Sequence, residues 1–308
     1  MAPLMEVRQL VKTYGSTRAV NGITFTIEAG RCTALLGPNG AGKTTTLNML
    51  SGLLKPTSGE IRFDGATKGE DLRAYIGYLP QYTAYYNWMT GREFLIYVGQ
   101  LTGMDKRSAV QRAEELLRLV GIEDAKHRRI GGYSGGMKQR LGLAQAMMHR
   151  PRLLVLDEPV SALDPIGRRE VLELMKRIRQ ETTILFSTHV LPDAEEVCDD
   201  VLIIRQGEIV IAGSLDEIRK SNQRPVIELE LEDGEALADW LPALRELAGS
   251  AAVEQNGPVV RFTVEDADEL PRIRQQLMTR LAELKAPLSR LEIARTSLED
   301  LFMEAVRR

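Results

Sequence analysis

The segment Gly37-Pro38-Asn39-Gly40-Ala41-Gly42-Lys43-Thr44-Thr45 constrains this 308-residue chain more than any other. It fits the spacing Gly-x4-Gly-Lys-Thr and follows an apolar run, Cys32–Leu36, that predicts a buried strand. Beyond it, Thr44–Leu54 can run as a helix. Glycines let a backbone wrap closely around an oligophosphate, while successive N–H groups and a helix N-terminus supply positive potential. Lys43 adds a full charge at the β- and γ-phosphates, and the Thr44 hydroxyl suits Mg²⁺. A Gly-rich turn without a ligand would not need every fixed position filled in a strand–loop–helix context. The segment predicts nucleoside triphosphate binding.

Composition narrows the class. Hydrophobic residues make up 44% and charged residues 27%, the balance of an ordinary globular protein, and the length allows two domains. No apolar stretch reaches the length of a bilayer span, and MAPLMEVRQLVKTYG lacks a basic-then-apolar signal segment. The two cysteines, Cys32 and Cys198, offer neither a disulfide framework nor metal-ligand spacing, and read as reduced core thiols. A net charge of −3 with mixed signs gives no reason to expect a nucleic acid partner.

Leu4–Leu10, Ile23–Glu28 and Glu60–Asp64 alternate polar and apolar residues, as half-exposed antiparallel strands do. Thr33–Leu36, Leu153–Leu156 and Thr183–Phe186 are almost wholly apolar and suit central strands of a parallel sheet covered on both faces. Arg92–Thr102, Lys106–Val120 and Gly136–His149 carry helical periodicity, so residues 83–150 read as a helical insertion. Val201–Arg205 and Glu208–Ala212 form a hairpin across Gln206-Gly207. Composition shifts after Ser221-Asn222-Gln223-Arg224-Pro225. The order is then strand (Val226–Glu232), helix (Ala236–Leu247), strand (Ala251–Gln255), strand (Val259–Val264), helix (Leu270–Leu284) and strand (Leu288–Ala294), with a last helix from Leu298. That is the ferredoxin-like β-α-β-β-α-β order. The predicted fold is α/β at residues 1–220, with a small α+β domain at 221–308.

Each apolar parallel strand ends in polar groups. The first enters the Gly-rich loop, the second delivers Asp157 and Glu158, and the third delivers Ser187, Thr188 and His189. Ligands of open α/β sheets sit beyond these strand ends. There, Asp157 can hold Mg²⁺ and Glu158 can accept a proton from an attacking water.

Further motifs stand in order: Tyr14 in LVKTYGSTRAV, Gln81 closing AYIGYLPQ, YSGGMKQR at Tyr133–Arg140, LLVLDEP at Leu153–Pro159, SALD at Ser161–Asp164, and STH ending in His189. With the Gly37–Thr45 loop, the series resembles the ATP-binding cassette (ABC) ATPases, over about Leu4 to Gly213. Within them it is similar to the single-cassette subunits of bacterial drug, polysaccharide and polyketide exporters. The resemblance implies that Tyr14 stacks on adenine and that Gln81 senses Mg²⁺ and the lytic water. It implies that Ser134, Gly135 and Gly136 contact a phosphate, that Asp164 lies in a loop crossing to a partner cassette, and that His189 senses the γ-phosphate. In the commonest signature, LSGGQ, a leucine and a glutamine stand where this chain has Tyr133 and Met137; methionine cannot donate a hydrogen bond.

The same resemblance implies a head-to-tail homodimer of cassettes around two Mg-ATP, because the signature loop lies too far from its own phosphate loop to share one nucleotide. It further implies a separate transmembrane permease subunit and a cytoplasmic place on the inner face of the membrane. A soluble ABC-class ATPase acting on nucleic acid or ribosomes is the alternative, although such proteins carry two cassettes or a long coiled coil and this chain shows no sustained heptads. The C-terminal domain shows no chemical constellation.

Overall fold

The computed structural model describes residues 3–67, 69–221, 224–231, 242, 251–264, 266–283, 288–295, 299–300 and 302. The chain divides into two compact units, Met1–Leu215 and Asp216–Arg307.

In the first unit, β1 (Met5–Tyr14), β2 (Thr17–Ile27) and β4 (Ser58–Phe63) form an antiparallel sheet ordered β2-β1-β4. The alternation in the sequence places Met5 and Val7 in the core, and the irregularity after Val7 brings Leu10 there. Strand β1 runs four residues past its predicted end. A bulge at Gln9, whose φ is +47°, shifts the register, and pairing with β2 continues past it as far as Tyr14.

The second sheet has the order β5-β6-β7-β3-β8-β9. Its strands are β3 (Cys32–Leu36), β5 (Ile76–Leu79), β6 (Leu153–Asp157), β7 (Thr183–Thr188), β8 (Asp200–Arg205) and β9 (Glu208–Ser214). All are parallel except β9, which returns from β8 as the predicted hairpin. Every residue of β3, β6 and β7 is buried, as their apolar runs require.

Helix α1 (Lys43–Leu50) is shorter than the predicted Thr44–Leu54. Gly52 turns left-handed at φ +74°, and the N–H groups of Leu53 and Leu54 both close on Asn48 O. The helical insertion holds α2 (Gly91–Leu101), α3 (Lys106–Leu119) and α4 (Gly135–Ala146), capped by Thr90, Asp105 and Ser134. Helix α5 (Pro165–Ile178) follows the cap Asp164, and α6 (Leu191–Val197) follows β7. The Asp-Pro start of α5 is a cap-then-proline signal that the motif reading passed over. Cys32 and Cys198, 166 positions apart, meet with their sulfurs 3.6 Å from each other, and both are free thiols.

After α7 (Leu215–Ser221), the second unit holds β10 (Pro225–Leu231), β11 (Ala252–Asn256), β12 (Val259–Thr263), α8 (Leu270–Glu283) and β13 (Leu288–Arg295). Its sheet is wholly antiparallel in the order β11-β12-β10-β13, the ferredoxin-like arrangement. Ile273, Leu277 and Leu281, spaced one turn apart on α8, join Ile227, Leu229, Val260 and Phe262 in its core. The helices expected at Ala236–Leu247 and from Leu298 lie outside the described residues but for positions 242, 299–300 and 302. Among the described residues no helix is long and apolar enough to cross a membrane.

Candidate functional site

The carboxyl ends of β3, β6 and β7 lie side by side and carry the polar cluster. After β3, the Gly-rich loop packs so tightly at two of its glycines, Gly37 and Gly42, that side chains are excluded there. A Cβ on Gly37 would sit 2.3 Å from Ile204 O; one on Gly42, at φ +105°, would sit 2.5 Å from Ala19 O. Gly207 N–H donates to Ala41 O (3.0 Å), pinning the loop to the β8–β9 hairpin. Helix α1 then starts without a side-chain cap, and uncapped N–H groups at a helix start favour an anion.

Lys43 is buried and folds back over the loop. Its Nζ donates to Gly37 O (2.8 Å) and Pro38 O (3.2 Å) and lies 3.4 Å from Glu158 Oε1. Thr44 is exposed and Thr45 half-buried at the start of α1; Asn39 and Gly40 are exposed at the loop tip, with Pro38 half-buried.

At the end of β6, Asp157 is 1% exposed. Its Oδ1 accepts from Ser187 Oγ (2.6 Å), whereas Oδ2 has no hydrogen-bond partner. A buried carboxylate oxygen without a partner is costly. Such an oxygen is also the hard donor that Mg²⁺ takes, so the site fits that cation. Glu158, also buried, stands at φ +49°, a left-handed conformation that costs a non-glycine residue about 1–3 kcal/mol. Three contacts hold it there: its N–H on Ser187 Oγ (2.9 Å), Lys43, and His189 Nδ1 at 3.0 and 3.1 Å from the two carboxylate oxygens. A carboxylate only accepts, so Nδ1 is the donor. Gln81 is exposed, two residues past β5 on the strand next to β6.

Lys43, Asp157, Glu158 and His189 are therefore brought together, with Ser187 as a fifth member that the motif reading did not assign. Ser134–Gly136 and Asp164 are not joined to them by hydrogen bonds. Ser134 Oγ accepts from Met137 N–H (3.2 Å), and Asp164 Oδ1 accepts from Gly167 N–H (3.2 Å). Tyr14 is 50% exposed, with Lys12 Nζ 5.2 Å from its ring centroid. His127 is exposed, and His149 is a packing residue whose ring meets Ile76 O at 3.2 Å, burial lowering its pKa.

Tyr133, where the commonest signature has leucine, is buried beneath the signature loop, and its hydroxyl donates to Ala125 O (2.7 Å). Gly91 makes room for it, since a Cβ there would lie 2.3 Å from the phenol oxygen. Tyr133→Phe should cost about 0.5–1.5 kcal/mol, the net worth of one hydrogen bond. Urea unfolding checks this; a midpoint equal to that of the parent chain would show that the hydroxyl contributes nothing.

Comparison with known proteins places this geometry. The ABC transporter family matches residues 20–161, and the C-terminal domain of DrrA1-3-like ATP-binding proteins matches residues 213–306. The chain is 47% identical over 305 residues to the uncharacterized ABC transporter ATP-binding protein YxlF of Bacillus subtilis (strain 168), covering 98% of this chain and 99% of that one. It is 32% identical to the daunorubicin/doxorubicin resistance ATP-binding protein DrrA of Streptomyces peucetius, over 97% of this chain and 91% of DrrA. Identity is also 32% to the bacitracin transport ATP-binding protein BcrA of Enterococcus faecalis, over 99% and 97%. A solved ATP-binding subunit of an ABC transporter superposes with a TM-score of 0.63 at 32% identity, covering 71% of this chain and 92% of that one. A cassette dimer in a post-hydrolysis state with ADP and Pi gives 0.62 at 25% identity, covering 68% and 98%. Cassette motifs, a Gly-rich loop whose Lys43 meets the buried Glu158 and its exposed neighbour His189, and relatives matched over nearly their whole length agree: the chain belongs to the ABC transporter ATP-binding proteins and is an ATPase of that family.

Proposed function

We propose that this chain energises an exporter as a head-to-tail homodimer clasping two Mg-ATP, working on a separate transmembrane permease at the inner face of the membrane. The observation that carries it is the uncapped start of α1 with Lys43 across it, beside the unpartnered Asp157 oxygen. In this reading Gly37–Thr45 cradle the phosphates and Tyr14 stacks on adenine. Asp157, Thr44 and Gln81 hold Mg²⁺, which when bound neutralises phosphate charge. Glu158 takes a proton from the attacking water, with His189 beside it.

The signature end supports a second copy. A Cβ on Gly136 would meet nothing within 4 Å, so nothing in this chain demands glycine there. A phosphate held by a facing cassette would. Ser134, with one lone pair taken by Met137 N–H, still has a hydroxyl proton to donate. We assign residues 1–220 to the cassette and 221–308 to an accessory domain.

The aromatic segment after Gln81 divides in two. Tyr85 packs, its hydroxyl on Lys138 O (2.7 Å), whereas Tyr82, Tyr86 and Trp88 are 82%, 50% and 69% exposed. Exposed aromatics beside the Gln81 loop suit docking of the permease. Export is favoured by relatives named for drug resistance and bacitracin transport. The test is co-purification with any multi-span protein that an adjacent reading frame encodes, reconstitution in vesicles, and ATP turnover with candidate cargoes. Cargo-stimulated turnover is expected. An ATPase rate that ignores the membrane protein and responds to nucleic acid or ribosomes would overturn the reading.

A further inference from the structure

We propose that Ser187 is a positioning residue for ATP hydrolysis, one hydroxyl setting both the metal-facing oxygen of Asp157 and the backbone of Glu158. The proposal rests on the ATPase reading above and adds a residue to it.

Ser187 is the cross-strand partner of Asp157 in the parallel pairing of β6 and β7. Laterally paired residues present their side chains on one face of a sheet, so the short serine reaches its neighbour directly. Ser187 is 0% exposed, and its hydroxyl uses both of its capacities. It donates to Asp157 Oδ1 at 2.6 Å and accepts from Glu158 N–H at 2.9 Å.

Each bond has a separate consequence. Fastening Oδ1 fixes the rotation of the Asp157 carboxylate and leaves Oδ2 as the one oxygen without a partner, turned out of the protein's own hydrogen-bond network. A carboxylate held by one oxygen offers the other to a cation in a set orientation, which is how outer-shell partners tune metal ligands. Fastening the Glu158 N–H fixes the peptide plane between the two acidic residues. Glu158 turns left-handed at that plane, and the turn sends its carboxylate to Lys43 and His189. One hydroxyl thus fixes both the carboxylate that would hold the cation and the backbone that aims the base.

The bland alternative is that Ser187 merely satisfies two buried groups and stabilises the sheet. The two roles differ in what they move. A structural role weakens the fold and every nucleotide-bound form alike. A positioning role spares nucleotide binding without metal and weakens the contribution of Mg²⁺ and the chemical step.

The test uses the full chain with Ser187→Ala and Ser187→Thr. Three quantities are measured: kcat and KM for Mg-ATP, the equilibrium affinity for a non-hydrolysable ATP analogue in Mg²⁺ and in EDTA, and the melting temperature. For Ser187→Ala, kcat should fall about 10–100-fold, the usual loss on removing an outer-shell partner. Its affinity in EDTA should stay within about twofold of the parent chain, while the tightening produced by Mg²⁺ shrinks by a similar order to the loss in kcat. Ser187→Thr keeps the hydroxyl on a strand-compatible side chain and should recover most of kcat. The proposal is overturned by Ser187→Ala with parental kcat and Mg²⁺ dependence, by equal loss of affinity in EDTA and Mg²⁺, or by Ser187→Thr as slow as Ser187→Ala. A parent chain that does not hydrolyse ATP would instead sink the ATPase reading, and is told apart because only the variants bear on Ser187.

Discussion

Replacing Glu158 with glutamine should slow ATP hydrolysis by on the order of 10²–10⁴, the worth of a positioned general base, while ATP still binds. The amide has nearly the volume of the carboxylate and keeps one acceptor oxygen, so Lys43 or His189 retains a partner. Lys43 also keeps Gly37 O and Pro38 O, so its ammonium stays over the loop. What disappears is the negative charge 3.4 Å from Nζ, which competes with a phosphate for the same cation. ATP affinity is therefore expected to be equal to or tighter than that of the parent chain, and the ATP-bound dimer should accumulate. Initial rates of phosphate release and sedimentation with ATP measure the two effects. Hydrolysis at the parental rate would place the base elsewhere. A variant that stays monomeric with ATP, alone and with its permease, would remove the two-copy site.

The site was legible because phosphate chemistry forces residue types into fixed spacings. Lys43, Asp157, Glu158 and His189 each end an apolar strand or open a helix, and parallel pairing of β3, β6 and β7 gathers them. Periodicity also foretold the fully buried central strands, and the four strands and the described helix of the second unit. Features decided by contact across the fold were not readable. Tyr14 ends a strand only because the Gln9 bulge lets β1 continue, and α1 stops where Gly52 turns left-handed. The approach of Cys32 to Cys198 needs the base of β3 to meet the end of α6. Ser187 looked like part of a motif ending in histidine; its role follows from which residue lies across the ladder. Tyr133 looked like a departure at a functional loop, whereas its phenol is a buried brace seated over Gly91.

Lys43→Ala should weaken ATP binding by on the order of 10²–10⁴. Lys43 is matched by Glu158, and His189 shares that carboxylate. An arriving triphosphate offers Nζ a denser negative charge, so the ammonium can exchange Glu158 for phosphate oxygens. The same exchange would free the Glu158 carboxylate to act on water, and would so couple occupancy of the loop to availability of the proposed base. Hydrogen bonds to charged groups are worth about 1.5–3 kcal/mol each, so losing two gives about 3–6 kcal/mol, which is that range in affinity. Alanine also leaves the buried Glu158 without its cation, though His189 and the Ser187 bond to its N–H remain, and a lowered melting temperature is expected. Nucleotide titration with a parallel melting curve separates the two losses. The double variant Lys43→Ala/Glu158→Gln should recover stability without recovering ATP affinity, because it removes the unmatched carboxylate and restores no phosphate partner. If the double variant binds ATP as tightly as the parent chain, Lys43 serves only to neutralise Glu158, and the exchange of partners does not occur.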